Sequence, residues 1–358
     1  MTSAFADTGT DHTFRRHATL RIPRMPRARC APRPPHSLMR VLVTGNSKPW
    51  KVGAGIERAL RRAGHETLLL DDRKLKRRIG WSLTQHWALR AVRRFKPEHV
   101  ILDKCHALDY ETVASIVRDV PSSMWYHDPA WVQQPEEPVV AHISSVAGMA
   151  QHFFVTGFDK EWRARGVAAK FLPAAGDREI VPVASDAAFG APVSFIGTGY
   201  AADRAHFLAR LGKHVKLRVW GAGWEKWRAE LDWSGRKAEH DDFARVCSSS
   251  GVMLGLNPAI AQGATNWVSN RMWLTILAGG FYLGEGTPGV DELLRDGEHC
   301  AYYRDFESCV AQIERYLSDP AARERIRRAG ESFVRAHHTF DARIANLLSG
   351  RAFENPLA

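Results

Sequence analysis

Ser269-Asn270-Arg271 is the stretch most suited to chemistry, because it opens a helix with an arginine in its first turn. The N-terminus of a helix presents free backbone N–H groups and the positive end of the dipole, which a cation opposes. An anion in front of the helix, most naturally a phosphate, makes such an arginine tolerable. An Arg271 turned to solvent or paired with a surface carboxylate fits the same spacing. A second group is His127-Asp128, where imidazole is suited to taking a proton near neutral pH and the carboxylate can orient it or act as the base itself. The plainer alternative is that Asp128 caps the turn into Pro129 and His127 packs. Asp103 is a weaker candidate for the same role.

These residues need elements to hold them, and the hydrophobic pattern supplies two similar series. Residues 40–44 read as a strand entering a turn at Gly45, followed by a helix over 55–63 and a strand over 67–70, the β-α-β start of a doubly wound sheet. A basic helical stretch with Trp81 and Trp87 leads to a strand at 99–102. Further strands are expected at 123–126 and 153–156 and at Lys170-Phe171-Leu172, with helices at 110–118, 139–150 and 159–165 between them. Ligands of open parallel sheets bind outside the carboxyl ends of strands, which is where Asp103, His127 and Asp128 fall.

A polar, Pro- and Gly-punctuated linker over 178–192 precedes a second start, in which residues 193–196 enter the turn Gly197-Thr198-Gly199. The helix at 202–211 carries Arg204 in its first turn, and the strand at 216–220 ends at Gly221-Ala222-Gly223. Residues 241–247 are helical. A strand over 252–256 ends at Asn257-Pro258, and Gly279-Gly280 stop the helix that Ser269 caps before the strand at 281–283. Helices over 306–317, 320–336 and 339–348 finish the chain. The expected organisation is a basic, Pro/Arg-rich extension (1–38), a first Rossmann-like domain (39–177), the linker (178–192), a second Rossmann-like domain with its C-terminal helices (193–348), and a tail (349–358). The fold begins directly after Met39, which reads as the natural start.

A length of 358 residues suits two domains, and 45% hydrophobic with 25% charged residues is a globular composition. No apolar run is long enough to span a bilayer. The five scattered cysteines form no CxxC pair and no cluster at metal spacing, which fits a reducing cytoplasm and no bound metal. Residues 1–100 hold 22 Lys and Arg against 7 Asp and Glu, a surplus of 15 in a chain of net charge +11, so the remainder carries −4. Such a field favours a polyanion. Basic residues with interleaved tryptophans can lie on an anionic membrane surface, giving a peripheral protein at its inner face. The tryptophans can equally well pack their helix on the sheet. Charge alone suggests nucleic acid, and no nucleic-acid partner is expected.

Several chemistries are excluded. Gly45 is followed by Asn46-Ser47-Lys48-Pro49, without the further glycines of a dinucleotide turn; GxxxxGK[ST] and GxSxG are both absent, as is Asp-x-Asp. The second half resembles the C-terminal domain of GT-B glycosyltransferases, in particular the CgeB-like (spore-maturation-like) branch, through VSFIGTGYAADR, VWGAGW, GLNP, SNRMW with LAGGFYLG, PGVDELLRDGEHCAYYRD and RAGESFVRAHHTFDARIANLL. MRVLVTG, LRRAGHETLLLDD, FKPEHVILDK, MWYHDPAW and FLPAAGD extend the resemblance to the first half, covering about residues 39–348.

The resemblance implies an α/β, two-domain GT-B fold and a hexosyltransferase-type, metal-independent transfer from a nucleotide-diphosphate sugar, used as co-substrate without a cofactor, to a glycan, lipid-linked or other cell-envelope acceptor. It implies donor contacts from Gly197, Gly199, Arg204, Gly221, Gly223, Asn266, Asn270, Arg271, Gly289 and Glu292, with the glycines letting backbone N–H groups approach phosphate. His127 and Asp128 are then the acceptor-side catalytic residues. The paired glutamates of retaining members fall at Asn266 and Leu274. Asn266 can hydrogen-bond a sugar hydroxyl, whereas Leu274 cannot bind ribose. Either Glu285 or Glu292 takes over the ribose, or donor binding is altered or lost. A non-catalytic glycan- or nucleotide-binding protein of the same fold is the alternative.

Overall fold

The computed structural model describes residues 38–128, 138–257 and 265–358. Residues 1–37 of the expected extension, the turn residue Pro129 and the loop residue Pro258 lie outside them. The first half runs β1 (Arg40–Thr44), α1 (Val52–Arg62), β2 (Glu66–Leu70), α2 (Asp72–Ile79), α3 (Trp81–Phe95), β3 (His99–Leu102), α4 (Tyr110–Val117), β4 (Ser122–Tyr126), α5 (Pro138–Met149), β5 (His152–Val155), α6 (Asp159–Ala164) and β6 (Ala169–Phe171). The second runs β7 (Val193–Ile196), α7 (Ala202–Leu211), β8 (Leu217–Trp220), β9 (Asp232–Trp233), α8 (Asp241–Ser249), β10 (Val252–Leu254), α9 (Asn270–Leu277), β11 (Tyr282–Glu285) and β12 (Ala301–Tyr303). Three helices follow: α10 (Phe306–Ser318), α11 (Pro320–His337) and α12 (Ile344–Ser349).

Each half builds a six-stranded sheet, in the orders β2-β1-β3-β4-β5-β6 and β12-β11-β10-β7-β8-β9. Every strand pair is parallel. Strands buried on both faces read as continuous apolar runs, and their side chains divide by alternation. Leu42, Val100, Leu102, Met124, Tyr126, Phe153 and Val155 enter one cluster with α4 and α5. Val41, Val43, Ile101, Trp125 and Phe154 enter another with α1. The strand order reverses between β1 and β3 in the first sheet and between β7 and β10 in the second. These are the topological switch points where an open α/β sheet leaves a crevice for a ligand.

The basic stretch after β2 forms two helices, divided at Gly80 with a φ of +78° that favours glycine. The short strands β9 and β12 carry too few residues to show a period in the sequence. β10 ends at Leu254, two residues before the expected end, and the expected last helix begins as a 3₁₀ turn at Asp341–Arg343.

The last helix, grouped by sequence with the second domain, packs on the first. Phe340, Ile344 and Leu347 belong to the cluster around Val41, Val43 and Trp125. Leu347 accepts a hydrogen bond from Ser123 of β4. The chain therefore crosses between the sheets twice, at 173–180 and at 337–343. The crossings pair through Gly176 N–H to the His338 carbonyl (3.0 Å) and Phe340 N–H to the Gly176 carbonyl (2.9 Å). Arg343 is buried between them, donating to the carbonyls of Pro173 (3.1 Å) and His337 (2.9 Å), and burial lowers its pKa to about 9.

The loops at the carboxyl ends of the two sheets also meet. Trp50, in the β1–α1 loop, packs edge-on against His240 and Phe243 of the second domain. Trp267, just before α9, joins the core of the first domain, against Gly157 after β5. A Cβ on Gly157 would lie 2.7 Å from the Trp267 Cβ, so glycine is required by the approach.

Phe340 is 2% exposed and closes the second crossing onto α1. Phe340→Ala is expected to cost about 3–5 kcal/mol in denaturant unfolding, the range for deleting a buried phenyl ring. A loss below about 1 kcal/mol would mean the crossing does not anchor the tail to the first sheet.

Candidate functional site

The second-domain site is built at the switch between β7 and β10. Ser269 caps α9 and accepts from the Arg271 N–H (3.4 Å). Asn270 is the first residue of the helix, half-buried beside it. Helical side chains lean toward the helix N-terminus, and the Arg271 guanidinium reaches back to β7. It lies over the Phe195 ring at 4.9 Å, and its Nη2 would be 3.1 Å from a Cβ on Gly197. Arg204, in the first turn of α7, lies over the same ring at 5.7 Å and donates to the Thr198 carbonyl (3.1 Å).

Two cations thus share one aromatic ring. Burial lowers the pKa of Arg271 to about 10, with the Arg204 charge adding to the shift. Burial also lowers that of Arg204, with Asp203 opposing. Arg204 is 7% exposed and its Nε is buried without a hydrogen-bond partner. Neither arginine forms an ion pair among the described residues. Partly desolvated cations without an ion-pair partner are costly, so the arrangement suits an anion.

The glycine turns serve this site differently from the sequence expectation. The N–H groups of Gly197, Gly199 and Gly221 are already bonded, to the carbonyls of Trp220 (2.9 Å), Ala222 (2.9 Å) and Arg236 (3.0 Å). They are not free donors for phosphate. Glycine is required because the two turns lie against each other. A Cβ on Gly221, at φ +134°, would meet the Gly197 carbonyl oxygen at 1.8 Å, and one on Gly199 would meet the Gly223 carbonyl at 2.3 Å. Gly223, at φ +84°, passes beneath the Tyr200 ring. The turns hold the arginines.

Asn266 has φ +60°, bonds its N–H to the Pro288 carbonyl (2.7 Å), and lays its side-chain oxygen against Gly289, where a Cβ would be 1.8 Å away. These two residues join the loop before α9 to the loop after β11. Leu274 packs against the second-domain core. Glu292 is exposed, its backbone carbonyl accepting from Asn355 (2.9 Å). Glu285 ends β11, accepts from the Asn257 N–H (3.3 Å), and has its pKa raised by burial. Of the two glutamates, Glu285 stands at the ligand-bearing edge of the sheet.

On the first domain, Asp103, His127 and Asp128 do come together at the ends of β3 and β4. Asp128 is paired with Lys104, which takes up its charge. His127 is 9% exposed, lies 4.1 Å from the Trp125 ring, and has no hydrogen-bond partner at either ring nitrogen. Burial, with the Lys104 charge, lowers its pKa to about 3, so its ring is neutral and a poor proton acceptor. Asp103 has the opposite character. Its N–H bonds Thr44 Oγ1 (2.9 Å), its Oδ1 is buried without a partner, and its Oδ2 faces Gly45. Burial raises its pKa to about 6 against the pull of Lys104. Asp103, ranked below the other two by sequence, is the carboxyl best tuned to exchange a proton near neutral pH. Among the described residues, no three His, Cys, Asp or Glu side chains are grouped to hold a metal ion.

The fold is the two-domain GT-B architecture, and solved structures match it over most of the chain. A sucrose-phosphate synthase from Thermosynechococcus elongatus aligns with a TM-score of 0.63 at 12% identity, covering 87% of this chain and 97% of its own. HepE from Anabaena, in complex with UDP and glucose, aligns at 0.58 and 11%, covering 87% and 100%. An α-glucosyltransferase in complex with UDP and a 13-mer DNA aligns at 0.58 and 11%, covering 85% and 96%. Residues 204–349 match a family described as "Glycosyl transferase-like", so the second half contains a glycosyltransferase-like domain. A comparison with curated proteins gave no match.

If an anion is what the arginines await, Arg271→Met will leave the unliganded protein as stable or more stable, by up to about 2 kcal/mol, since it removes a half-buried charge that has no ion-pair partner. It will also abolish the rise in melting temperature that millimolar pyrophosphate gives the parent protein. A clear loss of stability without ligand would show that the protein itself already neutralises Arg271.

Proposed function

We propose that the protein is a glycosyltransferase that moves a hexose from a nucleotide-diphosphate donor to a hydroxyl of a glycan or lipid-linked cell-envelope acceptor, in the manner of the CgeB-like branch and without a metal ion. The observation that carries this reading is the pair of arginines at the β7/β10 switch point, inside the glycosyltransferase-like domain, neither of which forms an ion pair among the described residues. Glycosyl transfer from such a donor breaks the bond between the anomeric carbon and a phosphate oxygen. Its electron pair passes to the diphosphate, and fixed cations stabilise the charge as it develops. Arg271 and Arg204 are suited to that role. UDP, bound in the Anabaena neighbour, is the first nucleotide to test.

The acceptor hydroxyl loses its proton as its oxygen attacks the anomeric carbon. Asp103 is the proposed base, in place of His127 or Asp128, because it combines a raised pKa with an unpartnered buried oxygen. A base on the opposite domain, with Asn266 and Leu274 where retaining enzymes have glutamates, favours a single displacement with inversion. Glu285 is the proposed ribose ligand.

The test is nucleoside diphosphate release from a panel of nucleotide sugars, followed across pH. Asp103 acts unprotonated and its folded pKa is about 6, so the rate is expected to fall as pH drops through 6. Asp103→Asn should remove that limb and slow transfer by about 10²–10⁴ while nucleotide affinity stays the same. A rate flat from pH 5 to 7 and abolished by His127→Ala would assign the base to His127. Separately, Arg271→Ala should weaken UDP binding by about 1.5–3 kcal/mol, the range for a charge-assisted hydrogen bond. A protein that binds no nucleotide at millimolar concentration is not a transferase of this kind.

A further inference from the structure

Between Arg73 and Pro97 the sequence holds nine Lys and Arg and no Asp or Glu. α2 and α3 carry this stretch on two adjoining helices. All five basic residues of α2 are exposed (Arg73, Lys74, Lys76, Arg77 and Arg78), as are Arg90, Arg93 and Arg94 on α3. None of the nine forms an ion pair among the described residues.

The same helical pair is apolar in places where solvent would favour polar groups. Of the seven exposed large hydrophobic side chains among the described residues, three lie within it: Trp81 (42% exposed), Leu83 (60%) and Trp87 (44%). They do not pack α3 onto the sheet. That task falls to Thr84, Gln85 and Ala88, which are buried, with Leu89 and Val92 against the core. Leu83, Trp87, Arg90 and Arg94 recur at helical spacing on the side away from those residues. Lys76 lies over the Trp81 ring at 5.1 Å, so a cation flanks that tryptophan.

We propose that α2 and α3 form a docking face for an anionic phospholipid bilayer, with Trp81, Leu83 and Trp87 entering the headgroup region and the basic residues meeting lipid phosphates. Tryptophan suits that boundary because its ring is apolar while its N–H remains wet. Clustered unpaired cations supply the attraction to an anionic surface. A nucleic acid would share the electrostatics but gives no reason for an exposed leucine between two tryptophans. The face also adjoins the acceptor side of the first domain. Buried Asp72, the first residue of α2, accepts the Ala107 N–H (2.8 Å), and Gln85 of α3 donates to the Ala107 carbonyl (2.9 Å). Ala107 lies four residues beyond Asp103. Resting on the transfer reading above, docking would bring a lipid-anchored acceptor to the edge of the sheet that carries Asp103.

Co-sedimentation of the full chain with vesicles tests this directly and needs no transfer activity, so its outcome is independent of that reading. Binding is expected to vesicles of phosphatidylcholine with about one-third phosphatidylglycerol, and not to phosphatidylcholine alone, and to weaken with salt. The exposed-residue variant Trp81→Ser/Leu83→Ser/Trp87→Ser should lose about tenfold or more in partitioning, as should Arg77→Gln/Arg78→Gln. Unchanged melting temperatures would confirm that both variants fold. Absence of binding to anionic vesicles would overturn the proposal. So would full binding by both variants, which would assign the attraction to the arginines of residues 1–37. Retention on a DNA duplex at 150 mM salt that the Trp/Leu variant does not reduce, with no vesicle binding, would replace the bilayer with a nucleic acid.

Discussion

The relation between the two sheets depends on Asp177. Its side chain is fully buried at the first crossing, where Arg58 of α1 holds it and Arg62 stands nearby. A buried carboxylate is tolerable only while its partner is in place. Asp177 therefore fixes the first crossing to α1. Gly176 beside it fixes the second crossing by pairing with the chain at Thr339. Arg62 closes the loop by bonding Asp341 (2.8 and 2.7 Å) and Glu179 (2.9 Å). With both strands of the connection bound to one helix, the carboxyl edges of the sheets are turned toward each other. Trp50 and Trp267 then bridge them.

That geometry divides the chemistry between the domains. The second supplies cations held by turns whose glycines are needed for backbone packing. The first supplies a carboxyl group in a setting that favours its protonated form. Under the proposed transfer, neither set of residues suffices alone. The fold by itself hosts many activities, so the functional reading rests on these side chains and on the family match over 204–349.

The sheets and most helices were legible because apolar runs, glycine turns and cap residues recur in the same order twice. Arg271 and Arg204 were legible as helix-start arginines, although not as neighbours on one ring, since Phe195 lies on a strand and carries no sequence signal for that contact. That the N–H groups of Gly197, Gly199 and Gly221 are bonded within the protein was not legible, because a glycine that admits a ligand and one that admits another backbone look alike in sequence. Asp103 was ranked low for a comparable reason: an isolated aspartate shows its burial only when its neighbours are known. Trp81 and Trp87 could face the sheet or the solvent by sequence, and only the structure shows them 42% and 44% exposed. The return of α12 to the first domain could not be inferred, because amphipathic helices do not specify which core they cover.

The shared Phe195 ring has a further consequence. An aromatic face attracts each guanidinium but does nothing to shield one from the other, so the two cations repel across the ring. Any oxyanion that enters relieves this, whether or not it is a substrate. Sulfate, inorganic phosphate and polyphosphate are therefore expected to compete with the proposed donor. Under the proposed transfer, the leaving group would be held by the same charges that ease its departure from the sugar. An enzyme arranged in this way makes bond breaking easier at the expense of letting go.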